Sequence, residues 1–458
     1  MALGHGGHEV DKIPEGETIS LEPLDTTLWV HILVQTLAFG ILFPLGMVLG
    51  MVKSRWHVPL QIFSTLLALL GYALGHLHRG RQFHPKNVHA MAATPLFFLM
   101  IGQVVAGIYL KLHLEKGIHG RIRPAIRLVH SINGKAFPVY AWVQMVFGGI
   151  TALGFCQGDH LGQCLAHFIM GGAFIAYGIL LTILLLVGQL WLRRTGRSQE
   201  FFDSAVIAAW GCVNTFTEHR WGTEWVRNDW QHTTMGVVWW SAGLVGVWLS
   251  RSRDGAPKRN FIPGFILLLT GWAMSAHPQE LMISAMTHKM FGYTLMGVGL
   301  TRIIEVSFVL RDKPGLSEDG TEVNSFQFIP VFLLYAAGFL FMCATEEQMT
   351  LIAGSGIDHV AYILIVYSLA SLLFLFTMML IHVYDRANPT AKKPLANGHV
   401  LGVDEAQLRD ANEFELDGLV SDEEDEDRAS RRKLLRDDGS EDGPSTPSTL
   451  GRNSDRVA

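Results

Sequence analysis

Four histidines stand near the starts of the first four apolar segments of this chain: His31, His57, His89 and His130. Consecutive membrane helices alternate in direction, so this order puts His31 and His89 at one bilayer face, here face A, and His57 and His130 at the other, face B. Neutral imidazoles are axial haem ligands. One bis-histidine pair per leaflet would let a four-helix bundle hold two haem b groups stacked across the membrane. The competing reading is that an amphipathic ring gathers at interfaces without binding anything, and four histidines in register weigh against it. At face A, His76, His78 and His84 are also within reach, so the residues alone leave the pairing there open.

A second group lies further along the chain. The same alternation brings to face A Glu218 and His219, Asp229 and His232, His277 and Glu280, His288, Glu346 and Glu347, and Asp358 and His359. Ionisable groups recessed into membrane helices are costly enough to mark a site by default. Imidazoles mixed with carboxylates suit a divalent metal (zinc, iron or manganese) or a proton relay. The expected ligands are His232, His277 and His288, with Glu280 or Glu347 completing the shell; the alternative is a solvated rim where acids and histidines only mark helix ends. Arg302 and Glu305, at i and i+3 near face B, are expected to form an ion pair that makes an embedded charge tolerable. Cys156 and Cys164 flank a short face A loop, FCQGDHLGQC, and are a disulfide candidate if that face is oxidising; they also read as two interfacial thiols. HGGH at 5–8 would add at most an accessory metal contact.

The elements that must position these groups are eleven apolar segments, at 28–52, 57–78, 88–112, 130–155, 165–192, 201–218, 232–250, 261–281, 288–310, 327–346 and 359–384. Crossing the hydrocarbon core takes roughly 20 apolar residues. The 201–218 segment is short and mildly polar, and its loss would invert the orientation of everything downstream. With 49% hydrophobic residues, 17% charged and 47 glycines, the composition fits an all-α polytopic membrane protein with close helix contacts rather than a soluble enzyme. The net charge of −5 comes largely from the polar stretch beyond 387, which carries SDEEDED at 421–427 and is expected to be a disordered tail. No apolar run precedes residue 28, so either the first span directs insertion or a leader lies upstream. Lysines and arginines crowd the face B loops, as at Arg121, Arg123 and Arg127, or Arg193, Arg194 and Arg197. The positive-inside rule therefore expects face B and the C-terminus in the cytosol, and face A with residues 1–27 in a lumen or outside, in a membrane of the secretory pathway, the vacuole or the cell surface.

HILVQTLAFGILFPLGMVLG, WHVPLQIF, HAMAATPLFFLMIGQVVAG and VHSINGKAFPVYAWVQMVFGG resemble the four-helix core of cytochrome b561 domains. The resemblance implies that His31 pairs with His89 and His57 with His130 around two haems. No GxGxxG fingerprint of a flavin or nicotinamide domain accompanies it, so the electron donor has no counterpart here. NDWQHTTMGVVWWSAGLVGV, GWAMSAHPQE, HKMFGYTLMGVGLTRIIEVSF and FLFMCATEEQ with DHVAY look like the transmembrane protein 45 group. Both halves in this order resemble the fungal YTP family. The expected organisation is a b561-like domain at 28–197, a second six-helix domain at 198–386 and the tail at 387–458. The function expected first is electron transfer across the bilayer between a donor and an acceptor that the residues do not identify, with ferric or other metal reduction as one form of it. The rivals are a haem-free metal-ion transporter or homeostasis protein and a non-catalytic membrane scaffold. The lipid bilayer is the expected partner, the oligomeric state is open, and nothing points to nucleic acid, nucleotide or a hydrolytic triad.

Overall fold

The computed structural model describes residues 13–14, 17–114, 116–219, 221–276, 279–311 and 323–387. HGGH at 5–8, His277 and the tail at 388–458 lie outside the described residues. Each of the eleven expected segments contains a helix, the one expected at 261–281 ending at Ser275: α1 (Thr26–Met51), α2 (His57–Leu77), α3 (Val88–Lys111), α4 (Ile118–Leu153), α5 (Leu161–Leu186), the short α6 (Gln189–Arg194), α7 (Gln199–Thr217), α8 (Arg227–Leu249), α9 (Ile262–Ser275), α10 (Met282–Leu310), α11 (Phe328–Met342), the short α12 (Glu346–Ser355) and α13 (His359–Ala387). No strand forms among the described residues; the extended contacts are isolated bridges, Ile19 with Phe83 and Arg251 with Pro257.

Among the described residues, eight helices, α1 to α5, α10, α11 and α13, are long and apolar enough to cross a membrane. The protein is an all-α, multi-pass membrane protein. The other three expected spans, α7, α8 and α9, do not reach that standard. Helix α7 carries Glu200, Asp203 and Asn214, α8 opens on RNDWQHTT, and α9 has only 14 residues, about 21 Å against a hydrocarbon core of about 30 Å. These helices pack by close backbone approach. A Cβ on Gly236 would come within 2.8 Å of the Thr215 nitrogen, and one on Gly292 within 2.7 Å of the Ser275 nitrogen.

Two local departures from the expected elements have sequence causes. Pro44 brings no N–H to α1 and its ring crowds the carbonyl four residues back, so the helix widens into a π turn over Thr36–Leu42. Helix α12, absent from the expectation, is started by a capping box: the Thr345 hydroxyl accepts from the Gln348 N–H at 3.3 Å while the Gln348 side chain accepts from the Thr345 N–H at 3.3 Å.

The front helices share a core of Phe39, Phe43, Ala68, Leu96, Met100, Phe137 and Ala141. Helix α5, expected with them, packs on α11, where a Cβ on Gly338 would meet the Ile175 nitrogen at 2.9 Å. Residues 106–132 form a unit apart from the rest of the described chain. At the entry to α1, the Asp25 carboxylate accepts from the N–H groups of Leu28 at 2.9 Å and Arg79 at 3.0 Å, tying the helix start to the chain beyond α2. Those two donors hold its carboxyl below the usual carboxylate range.

Candidate functional site

His57 and His89 stand at helix starts and His31 in the second turn of α1, whereas α4 begins at Ile118 and not at 130, so His130 lies inside its helix; each of the four rings rests on a glycine of an antiparallel neighbour. A Cβ on Gly75 of α2 would come within 2.7 Å of His31, one on Gly50 of α1 within 2.8 Å of His57, and one on Gly148 of α4 within 3.2 Å of His89. Within the 106–132 unit, Gly107 lies in the same way against His130, at 3.4 Å. One spacing underlies all four. His57 to Gly75, His89 to Gly107 and His130 to Gly148 are each 18 residues, five full helical turns, so each histidine and glycine share one face about 27 Å apart. His31 to Gly50 is 19 residues, and the π turn of α1 absorbs the additional one.

Backbone carbonyls orient the rings. Nδ1 of His31 donates to the Gly71 carbonyl at 2.7 Å and Nδ1 of His57 to the Gly46 carbonyl at 2.8 Å. A carbonyl only accepts, so the proton sits on Nδ1 and the Nε2 lone pair is the one presented for ligation. Gln144 holds His89 from two sides: its carbonyl is 3.2 Å and its side-chain nitrogen 2.9 Å from Nδ1, and that nitrogen also donates to the His89 carbonyl at 2.8 Å.

Of the histidines at this end of the helices, it is His89 whose ring faces His31, with centroids 6.2 Å apart and planes at 89°. His76 is exposed and bonded to its own helix through the Tyr72 carbonyl, and Nδ1 of His84 accepts from the Lys86 N–H. Two imidazoles on one metal, each with a bond of about 2 Å and a ring radius of about 1 Å, would have centroids about 6 Å apart. The His31–His89 separation therefore fits a single metal held between the two rings. His57 and His130 belong to different units.

The expected metal ligands of the second half have different neighbours. His232 lies 3.5 Å from Glu218, while the adjacent His219 pairs with Asp229 at 2.9 Å under the stacked Trp225 ring. The His219 hydrogen bond holds the Asp229 carboxyl below its ordinary range. Glu280 is exposed. His288 is buried, bonded through Nδ1 to the Ser284 carbonyl at 2.9 Å, with its ring against His167. Glu347 accepts from the Cys156 N–H at 3.0 and 2.9 Å, and Cys156 and Cys164 are joined as a disulfide. Among the described residues, the one set of three metal-capable side chains that converges is Cys156, Cys164 and Glu347, whose sulfurs are already bonded to each other. His232, Glu280, His288 and Glu347 thus do not form one shell. His232, His288 and Glu347 each meet a different neighbour.

Sequence reasoning also understated the Arg302–Glu305 pair. Its 2.7 Å contact is present, but a second carboxylate, Glu200 of α7, lies 2.7 Å from Arg302, and Arg259 reaches the same Glu200 oxygen at 2.9 Å. The signal was Glu200 and Asp203 at the head of the least apolar segment.

Residues 140–385 match a family model described as protein YTP1-like, C-terminal, and residues 11–113 match a domain of unknown function. Protein YTP1 of Saccharomyces cerevisiae is 42% identical over 288 residues, a stretch that covers 62% of this chain and 60% of that relative's length. An uncharacterized membrane protein of Schizosaccharomyces pombe is 22% identical over 445 residues, covering 70% of this chain and 86% of its own. A second Saccharomyces cerevisiae protein, also an uncharacterized membrane protein, is 23% identical over 261 residues, or 46% and 41% of the two chains. No solved structure matches. A match of the YTP1-like model to more than half of the chain, on a multi-pass helical fold, means that the protein belongs to the fungal YTP1-like family.

Proposed function

We propose that the protein is a b-type cytochrome module that passes electrons across its membrane, with a b561-like front half and a transmembrane protein 45-like second half. The observation that carries this reading is the His31–His89 pair: two half-buried imidazoles, perpendicular, 6.2 Å between centroids, with Nδ1 of each engaged by the neighbouring helix. A bound haem would supply a one-electron couple inside the bilayer. The chain's own residues bind and orient. The Gly71 carbonyl fixes the His31 tautomer, Gln144 fixes the His89 ring, and Gly75 and Gly148 leave room for the imidazoles at the helix contact. Ferric or another metal ion is a candidate acceptor at face A. Purified full-length protein from haem-replete cells is expected to show a Soret band that shifts on dithionite reduction, with the α band of a b-type centre. A haem content near zero by pyridine haemochromogen assay would overturn the reading. The rival, a haem-free metal transporter, draws support from the His219–Asp229 and His232–Glu218 pairs; bound zinc, iron or manganese without haem would favour it.

With α7, α8 and α9 crossing the membrane as well as the eight longer helices, the proposed orientation places face B and the C-terminus in the cytosol, on the strength of the basic residues in its loops. The Cys156–Cys164 disulfide, at the opposite face, suits an oxidising compartment. A protease site inserted after residue 400 should be cleaved from outside sealed microsomes, and one inserted at Gly158 should be protected. The reverse pattern would exchange the two faces.

A further inference from the structure

Between α5, α7, α8, α9, α10 and α11 lies a cavity of about 160 Å³, apolar over most of its wall and polar at the end where α7 begins and α10 ends. Phe174, Trp210, Trp239 and Met170 supply the apolar part. Its volume is that of a single ring: an engineered apolar protein cavity of about 150 Å³ takes up benzene. The polar end is formed by Asp203, Arg302, Glu305 and Gln327, with Tyr177 donating to Asp203 at 2.5 Å.

Most of the polar end is mutually satisfied. Arg302 donates to Glu305 and to Glu200, at 2.7 Å each, and Gln327 donates to the other Glu305 oxygen at 3.1 Å. On the residues that line the cavity two atoms are left over, and a third, Oε2 of Glu200, lies outside the lining. Nε of Arg302, a donor, and Oε1 of Gln327, an acceptor, are buried with no hydrogen-bond partner, on side chains only 8% and 3% exposed. Both side chains grip the same Glu305 carboxylate, so the orphan donor and the orphan acceptor belong to the two residues that flank it. An orphaned polar atom at such depth is costly. A hydroxyl is the smallest group that answers both, since it donates one hydrogen bond and accepts another. Water alone would satisfy the pair but leave the apolar volume unfilled, and the indole and phenyl walls suit an aromatic ring.

We propose that this cavity binds a lipid-soluble molecule with a hydroxylated aromatic ring, a phenol or a hydroquinone, its hydroxyl bridging Arg302 and Gln327. The site is independent of the front histidines, and its test does not depend on haem.

The experiment is calorimetric titration of the detergent-purified full-length protein with 4-propylphenol, 2-propylhydroquinone and propylbenzene. Saturable binding of the two hydroxylated probes is expected, with propylbenzene about tenfold weaker for want of the hydroxyl. Gln327→Leu should weaken the phenol about tenfold and leave propylbenzene unchanged. Ala173→Phe, placed at the exposed rim of the cavity so that folding is spared, should abolish binding of all three. Tighter binding of the hydroquinone than the phenol assigns the ligand to that class, and equal binding assigns it to simple phenols. Equal affinity for 4-propylphenol and propylbenzene, or non-saturable uptake that ignores both substitutions, would overturn the proposal and leave the polar end as a water-filled structural pin.

Discussion

Purified His89→Ala protein is expected to carry less haem b than the wild type by the same amount as His31→Ala, and the double variant is expected to lose no more than either. The two side chains are proposed to share one site, and changes at residues that act on one site do not add. The glycine contacts sharpen the test. Gly75→Leu leaves both histidines in place but drives a side chain into the space where a Cβ alone would come within 2.7 Å of His31; it should lower haem occupancy with both ligands intact. Haem content from pyridine haemochromogen spectra, normalised to protein, checks all four variants. If the losses from His31→Ala and His89→Ala add in the double variant, the two histidines serve different sites and the proposed pairing is wrong.

Arg302→Leu is expected to be the most damaging single substitution to stability. Arg302 is buried and faces three carboxylates, at 2.7 Å from Glu200, 2.7 Å from Glu305 and 3.8 Å from Asp203. Removing one partner of a buried charged pair leaves the others uncompensated and costs about 3–5 kcal/mol. Arg259 still reaches Glu200 at 2.9 Å, so Glu305 should carry most of the penalty. The variant should aggregate or elute as a broad peak in fluorescence-detected size exclusion, with its melting transition well below that of the wild type. Pairing it with Glu305→Leu should recover part of the loss, because an apolar pair of similar volume costs less than an unpaired charge. A wild-type melting curve for Arg302→Leu alone would show that the network does not stabilise the fold. Exposed Arg251 provides the control, since surface charges contribute little.

Much of this was legible without the structure. Helix formation in a membrane follows from local facts, apolar length and the need of every backbone group for an internal partner, and each of the eleven segments read from the sequence contains a helix. The four histidines stand out at the starts of apolar segments, although the helix carrying His130 begins earlier, at Ile118. Their glycine partners are equally legible, as a repeat of 18 residues, and the 19 in α1 marks the π turn ahead of Pro44. The Thr345–Gln348 capping box is also readable in the sequence, and it starts a ten-residue helix between two spans. What the sequence does not determine is azimuth. It sets how deep a residue lies along its helix, and through helical periodicity which residues share a face, but which neighbour that face meets depends on how all the helices pack. His232, His288 and Glu347 were assigned one depth, yet packing turns them to Glu218, His167 and the Cys156 N–H. Packing likewise joins Glu200 and Arg302, 102 residues apart, because the tertiary fold alone brings the heads of α7 and the foot of α10 to the same low-dielectric place, where an unpaired charge would not be stable.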